Sequence, residues 1–164
     1  MKIITINPDI CVGCGNCEYA CANEQKGNFD IKNSWIRVNF YPADRVCIPW
    51  NCAQCEDAWC MRVCPAGAIS RDPKTGAVLI DEGLCAGCKM CMLACPYGSI
   101  HFDLEAAVSR KCDLCGGDPQ CVRACLSGAL QFVEVDRAYE FRRRQFDNVL
   151  RAMPGIAKQD GEER

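Results

Sequence analysis

Cys85-Ala86-Gly87-Cys88-Lys89-Met90-Cys91-Met92-Leu93-Ala94-Cys95-Pro96 sets three cysteines two residues apart and a fourth four residues beyond the third. Cys11, Cys14, Cys17 and Cys21 repeat that C-x2-C-x2-C-x3-C spacing without the proline. Cys52, Cys55, Cys60 and Cys64, followed by Pro65, widen the second gap to four residues, and Cys112, Cys115, Cys121 and Cys125 widen it to five. The x2 start and the x3 finish survive in all four blocks, which absorb sixteen of the seventeen cysteines.

A [4Fe–4S] cube has four iron corners, each needing a thiolate, and a loop with two residues between cysteines wraps three corners of one cube. The next cysteine, on the first turn of a following helix, points away from that cube. In two-cluster ferredoxins it ligates the other cube, so such blocks work in pairs. Structural zinc is the competing reading, a scaffold that moves no electrons. Zinc sites usually split their ligands into two C-x2-C knuckles a dozen or more residues apart, whereas here three thiols crowd each loop. Four iron–sulfur cubes are therefore expected, and no iron site is expected to use any ligand but cysteine.

Cysteine at about a tenth of a 164-residue chain also suggests a disulfide-stapled secreted scaffold. The odd count argues against it. Met1-Lys2-Ile3-Ile4-Thr5-Ile6 is too short and not apolar enough for a signal segment, and Asn7-Pro8-Asp9 cuts it off, so a reducing cytoplasm is expected. No apolar run approaches the ~18 residues of a membrane span, which leaves any membrane link to a partner. Formal charge is −2, and four cubes with their thiolates would bring it to about −10. That argues against nucleic acid and for docking on basic surfaces. The hydrophobic 49% includes the ligand cysteines, so the cubes must act as core and the apoprotein is expected to be largely unfolded.

Strands are expected at Lys2–Asn7, Ala68–Arg71, Ala77–Asp81, Ser99–Phe102 and Ala129–Val135, with turns at Pro65-Ala66-Gly67, Pro73–Gly76 and Pro96-Tyr97-Gly98 and a helical turn around Met92–Cys95. The fold class is α+β: two nested bacterial 2[4Fe–4S] ferredoxin-like modules of short strands and short helices, with a C-terminal helical extension. Residues 1–135 form the four-cluster domain, its inner module spanning 48–104 and its outer module 1–21 plus 105–135. The insertion 22–47 is read as a hairpin or flap, polar and turn-like over Asn23–Asn33 and strand-like over Trp35–Phe40. Residues 136–164 hold a helix to about Met153, with Tyr139, Phe146, Val149, Leu150 and Met153 at near-helical spacing, stopped by Pro154-Gly155. The end, Glu162-Glu163-Arg164, is expected to be disordered. Helix and insertion supply no ligands and are the expected partner contacts.

Outside the blocks, Cys47 reads as a buried free thiol and His101 as a polar strand position. Trp35, Trp50 and Trp59 read as packing that keeps water off the cubes. Arg142-Arg143-Arg144 reads as a solvated helix face. No nucleotide-binding or catalytic motif occurs, so the chain alone is not expected to turn over a substrate.

Cys11-Val12-Gly13-Cys14, Cys60 through Ile69, Cys85 through Cys91 and Lys111-Cys112-Asp113-Leu114-Cys115 together resemble the four-cluster ferredoxin subunits of the dimethyl-sulfoxide-reductase iron–sulfur family, over Met1 to about Val135. Trp59 stands where that family often has proline, Leu126 replaces the proline after the last cysteine, and the fourth block lacks a longer insert. The resemblance is greatest to the cytoplasmic small subunits of tungsten aldehyde oxidoreductases. It implies a one-electron wire between a large tungsten- or molybdenum-pterin catalytic subunit and a flavin NAD-reducing subunit or ferredoxin. Benzoyl-CoA reductases, soluble hydrogenases and carbon monoxide dehydrogenases use similar subunits, and a free polyferredoxin is a further alternative. The resemblance also implies the ligand sets Cys11, Cys14, Cys17 with Cys125; Cys112, Cys115, Cys121 with Cys21; Cys52, Cys55, Cys60 with Cys95; and Cys85, Cys88, Cys91 with Cys64. One row is expected, in the order outer, inner, inner, outer. Cubes near both ends leave room for end-to-end self-association.

Overall fold

Strand β1 (Lys2–Ile6) buries Ile3, Ile4 and Thr5, and a 3₁₀ turn at Pro8–Ile10 carries the chain to the first cysteine. The computed structural model describes residues 1–153. Helix α1 (Asn16–Lys26) starts after left-handed Gly15 and ends at left-handed Gly27, whose N–H donates to Asn23 O at 2.8 Å. A hairpin of β2 (Arg37–Tyr41) and β3 (Val46–Trp50) follows, then α2 (Trp59–Arg62), β4 (Ile69–Arg71), β5 (Val78–Ile80) and α3 (Met90–Ala94). The chain closes with β6 (Ile100–Asp103), β7 (Val108–Lys111), α4 (Gln120–Arg123), β8 (Leu130–Glu134) and α5 (Val135–Ala152).

The strands form four antiparallel pairs: β1 with β8, β2 with β3, β4 with β5, and β6 with β7. Ile4 faces Phe132 and Ile6 faces Leu130, so the first and last strands enclose the other pairs. This is the nested α+β arrangement of ferredoxin-like modules. Each module has its own core. Ile4, Ile36, Leu114 and Leu130 gather with Cys17, Cys21 and Cys121, while Ala58, Ile69, Val78 and Ile100 gather with Cys91. Aliphatic side chains are too few to fill either core without the cysteines.

Three features differ from the sequence expectation. α1 remains helical through Asn23 to Lys26, because Glu18 in its first turn and Lys26 in its last complement the helix dipole and Gly27 caps it. β3 closes the expected hairpin with β2 but runs beyond residue 47 to Trp50 despite Pro49, which lies opposite Val38 in a two-stranded pair where every strand is an edge. β7 forms from Val108-Ser109-Arg110-Lys111, although Ser109 and Lys111 are buried polar residues.

α5 occupies the expected stretch. Ala138 is fully buried, and Gln145 Nε2 donates to Ile6 O at 3.2 Å. Tyr139, Phe146 and Val149 face solvent. The expected stop at Pro154-Gly155 and the Glu162–Arg164 tail lie outside the described residues. No helix among the described residues is long and apolar enough to cross a membrane.

Candidate metal centre

In each cysteine block the residue just before the second cysteine is left-handed: Gly13 (φ 66°), Gln54 (φ 50°), Gly87 (φ 65°) and Leu114 (φ 60°). In the first three blocks a left-handed residue among ordinary ones turns successive N–H groups toward one concave side, a shape suited to an anionic body, whereas in the fourth Leu114 begins a left-handed run through Cys115, Gly116 and Gly117. Two of the four are glycines for a second reason. A Cβ on Gly13 would stand 2.5 Å from Cys47 Sγ, and one on Gly87 would stand 2.5 Å from Ala107 O.

The exits from the blocks are equally regular. Gly67, Gly98 and Gly128 donate their N–H groups to Cys64 O, Cys95 O and Cys125 O at 3.2, 3.3 and 3.2 Å. Leu126 serves in this turn as well as Pro65 and Pro96 do, because the hydrogen bond and the left-handed glycine close it. Only Cys21 leaves along a continuing helix.

Cysteines of different blocks are neighbours in space. Burial pushes the Cys17 thiol up to about 12, with Glu18, Cys125 and Cys14 adding to the shift. Burial also raises Cys11, with Cys47, Cys125 and Cys14 beside it. Cys125 thus stands with the first-block loop, more than a hundred residues away in sequence. Cys115 is pushed up to about 11 by burial, with Asp113 and Cys21 adding to it, and buried Cys121 is raised further beside Cys112, Cys21 and Cys115. A single cavity is lined by Cys52, Cys55, Cys60 and Cys95. Cys64 packs against the core that contains Cys91.

Burial, with neighbouring thiols adding to it, disfavours ionisation of Cys11, Cys17, Cys115 and Cys121 until a positive body enters. A tetrahedral zinc site, with Zn–S bonds of about 2.3 Å, would draw its sulfurs to within ~4 Å of one another. Here three thiols share each loop and a cysteine from another block stands beside it, which suits a cube with four separate corners. Backbone N–H groups also reach sulfur: Trp35 to Cys21 at 3.3 Å, Leu130 to Cys125 at 3.4 Å, and Ser99 to Cys95 and Ser109 to Cys85 at 3.5 Å. Such bonds raise a cluster's reduction potential by stabilising its charge.

The loops run in a different order from the one expected. Cys52 is a neighbour of Cys112, and the Cys17, Cys21 and Cys121 side chains share one core against which Cys125 packs. The row is first-block loop, fourth, second, third: outer, outer, inner, inner. The reason is geometric. The third and fourth cysteines of a block are only four residues apart, across about one helical turn, so if they serve two sites those sites must adjoin and nothing can lie between paired loops. Cys14 and Cys88, the two exposed cysteines, belong to the loops at the two ends.

Of the remaining residues, Cys47 is half-buried against the first-block loop. His101 is half-buried in β6 with its pKa lowered by burial and by Arg37. Trp35 packs against the outer core. Trp50 and Trp59 are exposed, although Trp59 also lines the Cys52 cavity. Arg142, Arg143 and Arg144 are exposed. Sequence reading missed Gln54 and Lys111, both buried between the second and fourth blocks. The only signal was the lysine heading the Lys111-Cys112-Asp113-Leu114-Cys115 motif.

A family model described as a 4Fe-4S dicluster domain matches residues 43–135, and one described as a 4Fe-4S binding domain matches residues 3–25. The chain is 38% identical over 140 residues to the NADH-dependent phenylglyoxylate dehydrogenase subunit beta of Aromatoleum evansii, covering 83% of this chain and 31% of that one. It is 42% identical over 116 residues to the aliphatic sulfonate oxidoreductase polyferredoxin-like subunit of Pyrococcus furiosus, covering 70% and 66%. To the electron transport protein HydN of Escherichia coli K12 it is 36% identical over 135 residues, covering 70% and 75%. The chain therefore spans about a third of the first relative's length and just under two thirds of the second's.

Proposed function

Because this chain belongs to the 4Fe-4S dicluster domain family of ferredoxin-like electron-transfer subunits, we propose that it holds four [4Fe–4S] cubes and is the non-catalytic wire of a cytoplasmic oxidoreductase complex. The ligand sets are Cys11, Cys14, Cys17 with Cys125; Cys112, Cys115, Cys121 with Cys21; Cys52, Cys55, Cys60 with Cys95; and Cys85, Cys88, Cys91 with Cys64. The observation that carries this reading is Cys125 beside Cys11 and Cys17. Residues 1–135 are the four-cluster domain, and α5 is an extension of it.

When bound, the cubes supply reversible one-electron storage without proton or group transfer. The protein's own residues do the rest. Cysteine loops fix the sites in one row, buried aliphatic side chains exclude water, and the N–H groups of Trp35, Leu130, Ser99 and Ser109 stabilise charge on sulfur. Cys14 and Cys88 bring both ends of the row to the surface, where two partners can exchange electrons with it. One partner is a catalytic subunit of the tungsten- or molybdenum-pterin aldehyde oxidoreductase type, and the other a flavin NAD-reducing subunit or ferredoxin. The subunit status of the Pyrococcus furiosus relative supports the complex. A second reading, a free electron carrier, is favoured by the likeness to HydN, three quarters of which this chain covers.

Anaerobic purification should yield about sixteen irons and sixteen acid-labile sulfides per chain. About eight of each would refute the four-cube reading. Pull-down of the tagged chain should bring down a large subunit containing tungsten or molybdenum. Recovery of the chain alone, still reducible by dithionite, would decide for the free carrier. Aldehyde oxidation by the isolated chain would show a hidden active site.

A further inference from the structure

Lys111, the last residue of β7, is 4% exposed, and none of the ion pairs among the described residues includes it. Its ammonium group donates to Val78 O and to Cys112 O, the latter at 2.9 Å, and lies 3.4 Å from Gln54 Oε1. Three acceptors match its three N–H donors and hold it in one place. Gln54 is 2% exposed, accepts from Val78 N at 2.9 Å and donates to Cys112 O at 2.8 Å. Loop two, strand β5 and the start of loop four are thereby tied around one buried cation.

Burying an ammonium is unfavourable unless negative charge answers it. Carbonyls and an amide supply dipoles but no charge. Lys111 lines the cavity formed by Cys52, Cys55, Cys60 and Cys95, and it directly precedes Cys112. It opposes the effect of burial at Cys55, Cys60 and Cys112, whose thiols are raised chiefly by burial. The answering charge is that of two thiolate-bound sites, one from each module.

We propose that Lys111 is the shared counter-charge of the two middle sites in the row, raising the reduction potentials of both relative to the exposed ends. A reduced cube carries one more negative charge than an oxidised one, so a fixed cation beside it favours the reduced form. The lysine thus biases the electron toward the junction between the two modules. This inference rests on the four-cube reading above.

The test is an EPR-monitored redox titration of the full chain, anaerobically purified, as wild type and as Lys111→Met, Lys111→Gln and Lys111→Arg. Signals are assigned with Cys55→Ser and Cys115→Ser for the middle sites and Cys14→Ser and Cys88→Ser for the ends. The methionine and glutamine variants should move the two middle potentials negative and leave the ends in place, while arginine keeps all four near wild type. Equal movement of all four, movement of the ends alone, or no movement overturns the inference. Should the neutral variants shed iron, Gln54→Glu keeps the lysine and cancels its charge, with the same two negative shifts expected. Iron loss confined to the middle sites across these variants, with Lys111→Arg intact, counts for the inference, and loss from all four counts against it. Fewer than sixteen irons in the wild type would instead fail the four-cube reading.

Discussion

The Cys11–Cys21 and Cys85–Cys95 stretches share one spacing, yet the chain treats them differently once the ligands are placed. After Cys95 it reverses at once through Pro96-Tyr97-Gly98 into β6. After Cys21 it stays helical to Lys26, and the β2–β3 hairpin follows. Before the fourth cysteine the two match closely, with left-handed Gly13 and Gly87 in equivalent places and the second cysteine exposed in both. What a bound cluster touches is held constant, whereas what lies beyond it is free to vary. The third block spends its exit on a compact module and the first spends it on an insertion that packs Ile36 and Trp35 into the outer core.

The largest effect should come from stripping iron. Both stretches depend on the same filler, so chelation under reducing conditions should abolish the cooperative thermal transition of the whole chain, read by far-UV circular dichroism. A transition that survived in part would mean that one module folds without metal. Next come the distant cysteines. Cys125→Ser should disturb the site of the first-block loop and Cys64→Ser that of the third, each lowering iron from about sixteen toward about twelve. Mössbauer or EPR signals assigned to the Cys112 loop should persist in Cys125→Ser; their loss would refute the crossing.

Gly13→Ala and Gly87→Ala sharpen the comparison further. Both force a left-handed alanine, costing about 1–2 kcal/mol. At Gly87 the new methyl meets backbone, Ala107 O, whereas at Gly13 it meets the end of a side chain, Cys47 Sγ. Gly87→Ala should therefore be the more destabilising in denaturant melts, and Cys47→Ala should partly rescue Gly13→Ala only. The smallest effect is expected where the two regions touch. Lys26 Nζ, at the end of α1, pairs with Asp103 at 3.1 Å across a partly exposed contact. Lys26→Ala should cost no more than about 1 kcal/mol and leave iron content unchanged.

The cysteine blocks, the turns at Gly67 and Gly98, the flanking strands and α5 were legible because each carries a local signal: spacing, a turn tripeptide, alternation, or a long helical stretch. Gln54 and Leu114 gave no warning of left-handed backbone, since only the requirement of the loop, not the residue, puts them there. Lys111 reads as surface from composition alone, and its burial becomes sensible only with the thiols of two blocks around it. Which side of α5 packs was not legible, because the small Ala138 and the polar Gln145 are seated while the larger Tyr139 and Phe146 are exposed. The order of the row is not legible for a different reason: nesting in sequence suggests nesting in space, whereas the four-residue step from third to fourth cysteine makes paired loops adjoin.

The pairing of β1 with β8 also sets a timetable for synthesis. At ~5–20 residues per second, Ile4 waits on the order of ten seconds for Phe132 to leave the ribosome. Cys95 emerges well before Cys112, so on the proposed ligand sets the second and third blocks possess their full complement of thiols while the first still lacks Cys125. That order of emergence allows the sites of the inner module to be completed before those of the outer one. On the same ligand sets the outer pair closes only after Cys125 has emerged, and until then the first-block thiols lack their fourth partner.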